Sequence, residues 1–268
     1  MGKNIFMSIL LIMSLSTTAF SLNMLRTAQQ IDVLATEAYD DIRNNARGET
    51  GRKAATVSGQ EAVAPAPAPA PMPAPSLDIP DLVIDFAYLS QINADATAWL
   101  YSPDTPIDYP VVWASDYNYY LRRLPDGKEN ANGSLFTDYN SLPDFAGHLT
   151  VIYGHNMKSG QMFGSLTQYK SQKYYDEHPY LYLYTSDESY RLEVIYGFVV
   201  GEGKWRGQAF MFEENLTALL SYASYNTTFI SQETYEPGDR LIALSTCSYE
   251  FDDARYVLLA RLRSDALE

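Results

Sequence analysis

The chain has 268 residues, with 33 acidic against 19 basic side chains and a formal charge of −14. That anionic surplus argues against nucleic acid as a partner, because a polyanion needs a basic stripe and would be repelled here. The single cysteine, Cys247, excludes an intramolecular disulfide, so the fold must stand on its core alone.

In chain order, the first element is Ile5–Leu25, an uncharged apolar run between Lys3 and Arg26 that is long enough to cross a bilayer as a helix. A cleaved signal peptide competes, since Ala19-Phe20-Ser21 resembles a small-residue cleavage site. The run exceeds a usual signal core, and helical spacing continues through Ile31, Leu34, Ala38 and Ile42. We therefore expect a single-pass membrane anchor over residues 1–25 and a juxtamembrane helix over 26–43, with everything downstream outside the cell. Residues 44–76 collapse to small, polar and proline residues, ending in alternating Ala-Pro from Ala64 to Pro75. Such a sequence forms neither helix nor sheet, and predicts a disordered, semi-rigid stalk holding a catalytic head clear of the membrane. On this reading, nothing before Leu77 adds core or chemistry, and residues 77–268 form one catalytic domain.

That domain reads as mainly β with short helices. A helix is expected across Asp81–Asn93, with Leu82, Phe86, Leu89 and Ile92 on one face. Strands are expected at Ala98–Tyr101, Pro110–Val112, Ser134–Thr137, Leu149–Tyr153, Tyr180–Tyr184, Ser189–Val200, Arg240–Thr246 and Arg255–Leu262. Eight strands with mostly short connections suggest a closed or nearly closed barrel. The long connection from Gly201 to Asp239 carries an amphipathic helix near Glu213–Ser224, and connections of that kind often hold binding function.

Three histidines are available to pair with the thiol: His148, His155 and His178. His155 follows the apolar strand Leu149–Tyr153, with Gly154 allowing a sharp turn, and Cys247 closes the strand that contains Leu241-Ile242-Ala243-Leu244. Two reactive side chains at strand ends suit a thiol activated by an imidazole that later protonates a leaving amine. Arg255 opens the following strand, where its guanidinium would lie near the sulfur and could stabilise a thiolate or an oxyanion. Each residue alone has a plainer reading, a buried small hydrophobe for Cys247 and a strand-end surface charge for Arg255. No ligand spacing typical of zinc is present, and no cofactor is expected.

The strings Ile152-Tyr153-Gly154-His155-Asn156-Met157 and Leu244-Ser245-Thr246-Cys247, followed by Arg255-Tyr256-Val257, resemble the His and Cys motifs of sortases. Asp108-Tyr109-Pro110-Val111-Val112, Tyr119-Tyr120-Leu121, Gly133–Tyr139 and Gly160–Leu166 resemble class B segments, and the likeness spans roughly Asp81 to Leu262. The resemblance implies an eight-stranded sortase β-barrel, an N-terminal helical addition, and a helix between strands six and seven. It implies a cysteine transpeptidase in which Cys247 attacks a Thr carbonyl in the sorting signal of a secreted protein. His155 then protonates the leaving amine, Arg255 supports the oxyanion or substrate backbone, and a peptidoglycan-precursor amine resolves the thioester. Leu121, Ser245 and Thr246 fall where class B enzymes contact the sorting peptide. Ser248 departs from the acidic residue that some members carry after the nucleophile. A pilus-building sortase using a pilin lysine, and a secreted papain-like protease, are the alternatives. In the protease, however, the nucleophile comes early and heads a helix.

Overall fold

The computed structural model describes residues 17–48, 77–207 and 215–264, together with the helical backbone of residues 2–16. Residues 49–76 of the expected stalk lie outside the described residues, as do the first two residues of the helix expected at Glu213–Ser224. Residues 2–46 contain no proline and no glycine after Gly2, and they form one helix, α1 (Gly2–Ala46). Among the described residues no helix is long and apolar enough to cross a membrane. Most of the apolar run Ile5–Leu25 lies on residues whose side chains are outside that description, so the anchor expected there rests on the sequence alone.

Eight strands close a barrel: β1 (Ala96–Tyr101), β2 (Asp108–Val112), β3 (Leu135–Thr137), β4 (Leu149–Tyr153), β5 (Tyr180–Tyr184), β6 (Ser189–Gly201), β7 (Leu241–Cys247) and β8 (Ala254–Ser264). Their order around the barrel is β8-β6-β5-β1-β2-β3-β4-β7, with β7 returning to β8. The β2/β3 and β4/β7 neighbours are parallel and the rest antiparallel. Irregularities at Ala96/Ala98 and Leu259/Ala260 give the ladder the local bends that closure requires.

Alternation along the strands sorts the core into layers. Leu100, Val111, Ile152, Ile242, Leu244 and Leu258 belong to the interior cluster. Their neighbours Val112, Val151, Ala243, Val257 and Leu259 lie on the outer face. There they are covered by Trp205 of α4 (Glu202–Trp205) and by Leu219 and Ala223 of α5 (Leu216–Asn226). Both helices sit in the connection between β6 and β7, where one helix, corresponding to α5, was expected and α4 was not. The helix expected at Asp81–Asn93 is shorter, α2 (Phe86–Ile92), capped by the Asp85 carboxylate on the Tyr88 N–H at 2.8 Å. It cannot start earlier, because Val83–Ile84 pair antiparallel with Arg47–Gly48.

The expectation that nothing before Leu77 contributes core does not hold. Ala35 and Tyr39 of α1 join the interior cluster, and Ile42 and Ala46 pack with Leu89, Trp99, Tyr182 and Tyr184. The buried face is thus Ala35, Tyr39, Ile42 and Ala46; of the run noted in the sequence Ile42 belongs to it and Ala38 packs beside it, while Leu34 is 59% exposed. Small alanines let α1 approach closely, and Arg43 and Arg47 complete the docking on Asp108.

Candidate active site

Three neighbouring strands deliver the expected trio to one level. Cys247 and Arg255 are register partners across the antiparallel β7/β8 pair. β4 runs parallel to β7 with Tyr153 opposite Ser245, so His155, two residues beyond Tyr153, comes level with Cys247, two residues beyond Ser245. Alternation puts Cys247 and Arg255 on the same outer face as Ala243 and Val257, beside the helical connection.

Short hydrogen bonds tie the β4 and β7 ends together. The Gly154 N–H donates to the Ser245 carbonyl at 3.2 Å, Thr246 Oγ1 to the Gly154 carbonyl at 2.8 Å, and Asn156 Nδ2 to the Cys247 carbonyl at 2.8 Å. Gly154 is needed for space rather than for an unusual turn: a Cβ there would lie 2.4 Å from Leu135 Cδ2 and 2.7 Å from Phe163 Cδ2. His155 Nε2 lies 2.7 Å from the Leu121 carbonyl. A carbonyl can only accept, so Nε2 carries the proton and Nδ1 is the nitrogen left for exchange. His148, by contrast, precedes the far end of β4, and its carbonyl accepts the Leu241 N–H at 2.9 Å. His178 ends α3 (Gln172–Glu177) and packs on the Tyr174 ring at 4.4 Å.

Arg255 is oriented by a residue that the sequence reading passed over. Its Nη2 donates to Glu202 Oε2 at 2.6 Å and its Nη1 to the Ala254 carbonyl at 3.1 Å. Glu202 opens α4, is fixed by its N–H on the Asp253 carbonyl at 2.9 Å, and also accepts from Arg206 Nη1 at 3.2 Å. The Arg206 guanidinium stands 3.3 Å over the Tyr117 ring, which meets Tyr153 edge-on at 5.0 Å. Burial holds the Tyr117 hydroxyl above the usual phenol pKa, against the opposing pull of Arg206 and Arg255. The available signal for Glu202 was a carboxylate at the mouth of the long connection, just where β6 ends opposite Ala254.

Of the expected peptide-contacting residues, Leu121 supplies the carbonyl that holds His155, and its side chain packs on the outer cluster. Ser245 and Thr246 are 1% and 2% exposed, and the Thr246 hydroxyl is spent on the Gly154 carbonyl. Ser248 sits in a small polar cluster, accepting from Lys170 Nζ at 3.0 Å and donating to Glu250, so a carboxylate stands two residues further on than in the family pattern. An open cleft of about 270 Å³ lined by Asn156, Thr167, Lys170, Ser248, Tyr249 and Glu250 adjoins this cluster.

The sortase-domain family profile matches residues 100–263. Sortase B of Listeria monocytogenes is 31% identical over 182 residues, covering 65% of this chain and 72% of that protein. Among solved structures, sortase B of Bacillus anthracis superposes with a TM-score of 0.61 at 33% identity, covering 67% of this chain and 82% of its own. Sortase B of Clostridium perfringens gives a TM-score of 0.62 at 25% identity, covering 67% of this chain and all of its own. A single half-buried cysteine at the end of a barrel strand, a histidine level with it and a matching closed eight-stranded barrel thus identify the chain as a member of the sortase family of cysteine transpeptidases, and within it a class B sortase.

Proposed function

We propose that the protein cleaves the C-terminal sorting signal of secreted proteins at a Thr carbonyl and transfers the new acyl end to an amine of a peptidoglycan precursor. The Cys247 thiolate attacks the carbonyl carbon, and the oxyanion accepts hydrogen bonds from Arg255. Two of the five guanidinium N–H groups are already committed to Glu202 and the Ala254 carbonyl, which leaves the others for this task. The C–N bond then breaks, His155 gives its proton to the departing amine, and a thioester remains on Cys247. The acceptor amine adds to the thioester, passes its surplus proton to His155, and expels the thiolate as the new amide forms.

The observation that carries this reading is the common level of His155, Cys247 and Arg255 on three adjacent strands. Solved sortase B structures include a Staphylococcus aureus enzyme–substrate complex and a complex with triglycine, which fits a peptide acyl donor and a glycine-like amine acceptor. The apolar run at the start of α1 supports single-pass anchoring in the cell membrane, with the barrel outside.

Mass spectrometry of the enzyme incubated with sorting-signal pentapeptides tests the scheme. Without acceptor, the acyl fragment is expected on Cys247; with a short glycine peptide or diamine, it is expected on the acceptor. Transfer without an acyl adduct on Cys247 would remove the covalent step, and a product joined only to a lysine side chain would reassign the enzyme to pilus assembly.

A further inference from the structure

His155 stands between two loops, and α1 touches the supports of both. The upstream loop, residues 119–134, opens with a 3-10 helical turn at Tyr119–Arg122 that presents the Leu121 carbonyl to His155 Nε2. The position of that carbonyl is set by the Ser134 N–H on the Tyr120 carbonyl at 3.0 Å and the Asn130 N–H on the Arg122 carbonyl at 2.9 Å. Gly133 closes the loop at φ +58°, so tightly that a Cβ would lie 2.7 Å from the carbonyl oxygens of both Tyr120 and Leu121. The Tyr39 hydroxyl of α1 donates to the carbonyl of this glycine at 2.6 Å, and Asn130 Nδ2 donates to the Ile31 carbonyl of α1 at 3.1 Å.

The downstream loop, residues 156–163, is held in the same way. The Phe163 N–H returns to the His155 carbonyl at 3.0 Å, and the Met162 N–H donates to the Tyr109 hydroxyl at 3.3 Å. The Tyr109 ring meets the Tyr39 ring edge-on at 5.0 Å. Beside it, Gln161 Nε2 reaches Thr36 Oγ1 of α1 at 3.3 Å. A phenylalanine at position 39 would fill the same space, so core packing does not account for the hydroxyl. A buried phenol costs free energy unless it is bonded, and burial pushes this one well above the ordinary phenol pKa.

We propose that Tyr39 is a positioning residue for His155, acting through the Gly133 carbonyl on one flank and through Tyr109 on the other, so that α1 takes part in proton transfer at a site it does not touch. The proposal rests on the reading of His155 as proton donor to the leaving amine. It predicts a particular pattern: weakened proton delivery with the thiol's reach for the carbonyl left intact.

The test compares the full-length wild type with Tyr39→Phe and His155→Ala on two substrates sharing one acyl group, a peptide amide and a thioester whose thiolate departs without a proton. His155→Ala is expected to lose amide turnover by about 10²–10⁴ while losing far less on the thioester. Tyr39→Phe is expected to repeat that pattern on a smaller scale, about tenfold on the amide through mispositioning, with the thioester rate kept. Equal losses on both substrates, or wild-type amide turnover, would overturn the proposal, the first because it marks a general loss of folded enzyme. Should Tyr39→Phe not fold, Thr36→Val removes the Gln161 contact from a partly exposed position, and the same amide-selective loss is expected; its absence counts equally against the brace. If His155→Ala keeps its amide turnover, it is the role given to His155 that fails, and Tyr39 then has nothing to position.

Discussion

Cys247 and Arg255 face each other across consecutive antiparallel strands joined by residues 248–253, so the ladder itself sets their separation. His155 lies beyond the end of its strand, and its ring is held by the carbonyl of Leu121, a residue 34 positions earlier in a loop. One half of the site is fixed by backbone pairing that any barrel of this register would provide. The other half depends on loop geometry that in turn leans on α1. The two halves should therefore fail differently: the ladder pair through loss of its own chemistry, the histidine also through changes made well away from it.

The largest expected effect is that of Cys247→Ala, which should abolish acyl transfer without loss of fold, since Cys247 is the only thiol in the chain. Turnover above a few per cent of wild type in a peptide-cleavage assay would break the ladder half of the comparison. Next, His155→Ala should cost about 10²–10⁴ in kcat/KM, with His148→Ala and His178→Ala close to wild type. A His178 variant as inactive as the His155 variant would show that the base was misassigned. Arg255→Lys keeps the charge but not the planar fork, and should lose about 10²-fold in kcat/KM at nearly unchanged Tm. A loss within threefold would reduce Arg255 to a surface charge paired with Glu202.

Two smaller effects sharpen the contrast. Gly133→Ala forces a Cβ to within 2.7 Å of the Leu121 carbonyl oxygen, so it should impair amide cleavage by about tenfold or more even though residue 133 touches neither Cys247 nor His155. Gly160→Ala has a comparable backbone strain, with φ +81°, but nothing within 4 Å of its Cβ, and should change Tm by more than it changes rate. Equal rate losses in the two variants would mean that strain alone, rather than displacement of Leu121, is responsible. The smallest effect is expected for Glu202→Gln, which keeps a hydrogen-bond acceptor for Arg255 but removes the charge. A loss of about threefold to tenfold in kcat/KM is expected, and no loss once Arg255→Lys is already present. Additive losses would place Glu202 outside the Arg255 pathway.

The ladder half was legible in the sequence. Dense β-branched and aromatic runs bounded by turn residues gave all eight strands to within two residues at either end, and Leu149–Tyr153 and Tyr180–Tyr184 coincide with the observed β4 and β5. Strand-terminal positions for Cys247 and Arg255 followed directly. The parallel β4/β7 neighbour, which brings His155 level with Cys247, was not legible because β4 and β7 are far apart in the chain, with two other barrel strands between them. The loop half was hardly legible at all. Backbone carbonyls such as those of Leu121 and Gly133 carry no side-chain signature, and the carboxylate of Glu202 at the mouth of the long connection gave no sign in sequence of the arginine it would meet. The packed face of α1 was legible only in part. Helical spacing through Ile31, Leu34, Ala38 and Ile42 includes Ala38 and Ile42, which pack on the core, whereas Ala35, Ala46 and Tyr39, with its bonded hydroxyl, complete the face.

The pairing of Arg47–Gly48 with Val83–Ile84 bears on how high the catalytic barrel rides. It brings Gly48 and Val83 to the same spot, so the length of chain between them does not set the distance between α1 and the barrel. Under the anchoring proposed above, altitude is then governed by α1 alone, each residue of which adds about 1.5 Å along its axis. From Leu25 to the first buried contact at Ala35 that amounts to roughly 15 Å, which seats the barrel close against the headgroups. Adding Ala-Pro repeats would leave this height untouched. A single residue inserted between Leu25 and Ala35 would also swing the whole barrel by about 100° about the helix axis. Under that proposed anchoring, the length and phase of a helix would set the enzyme's reach.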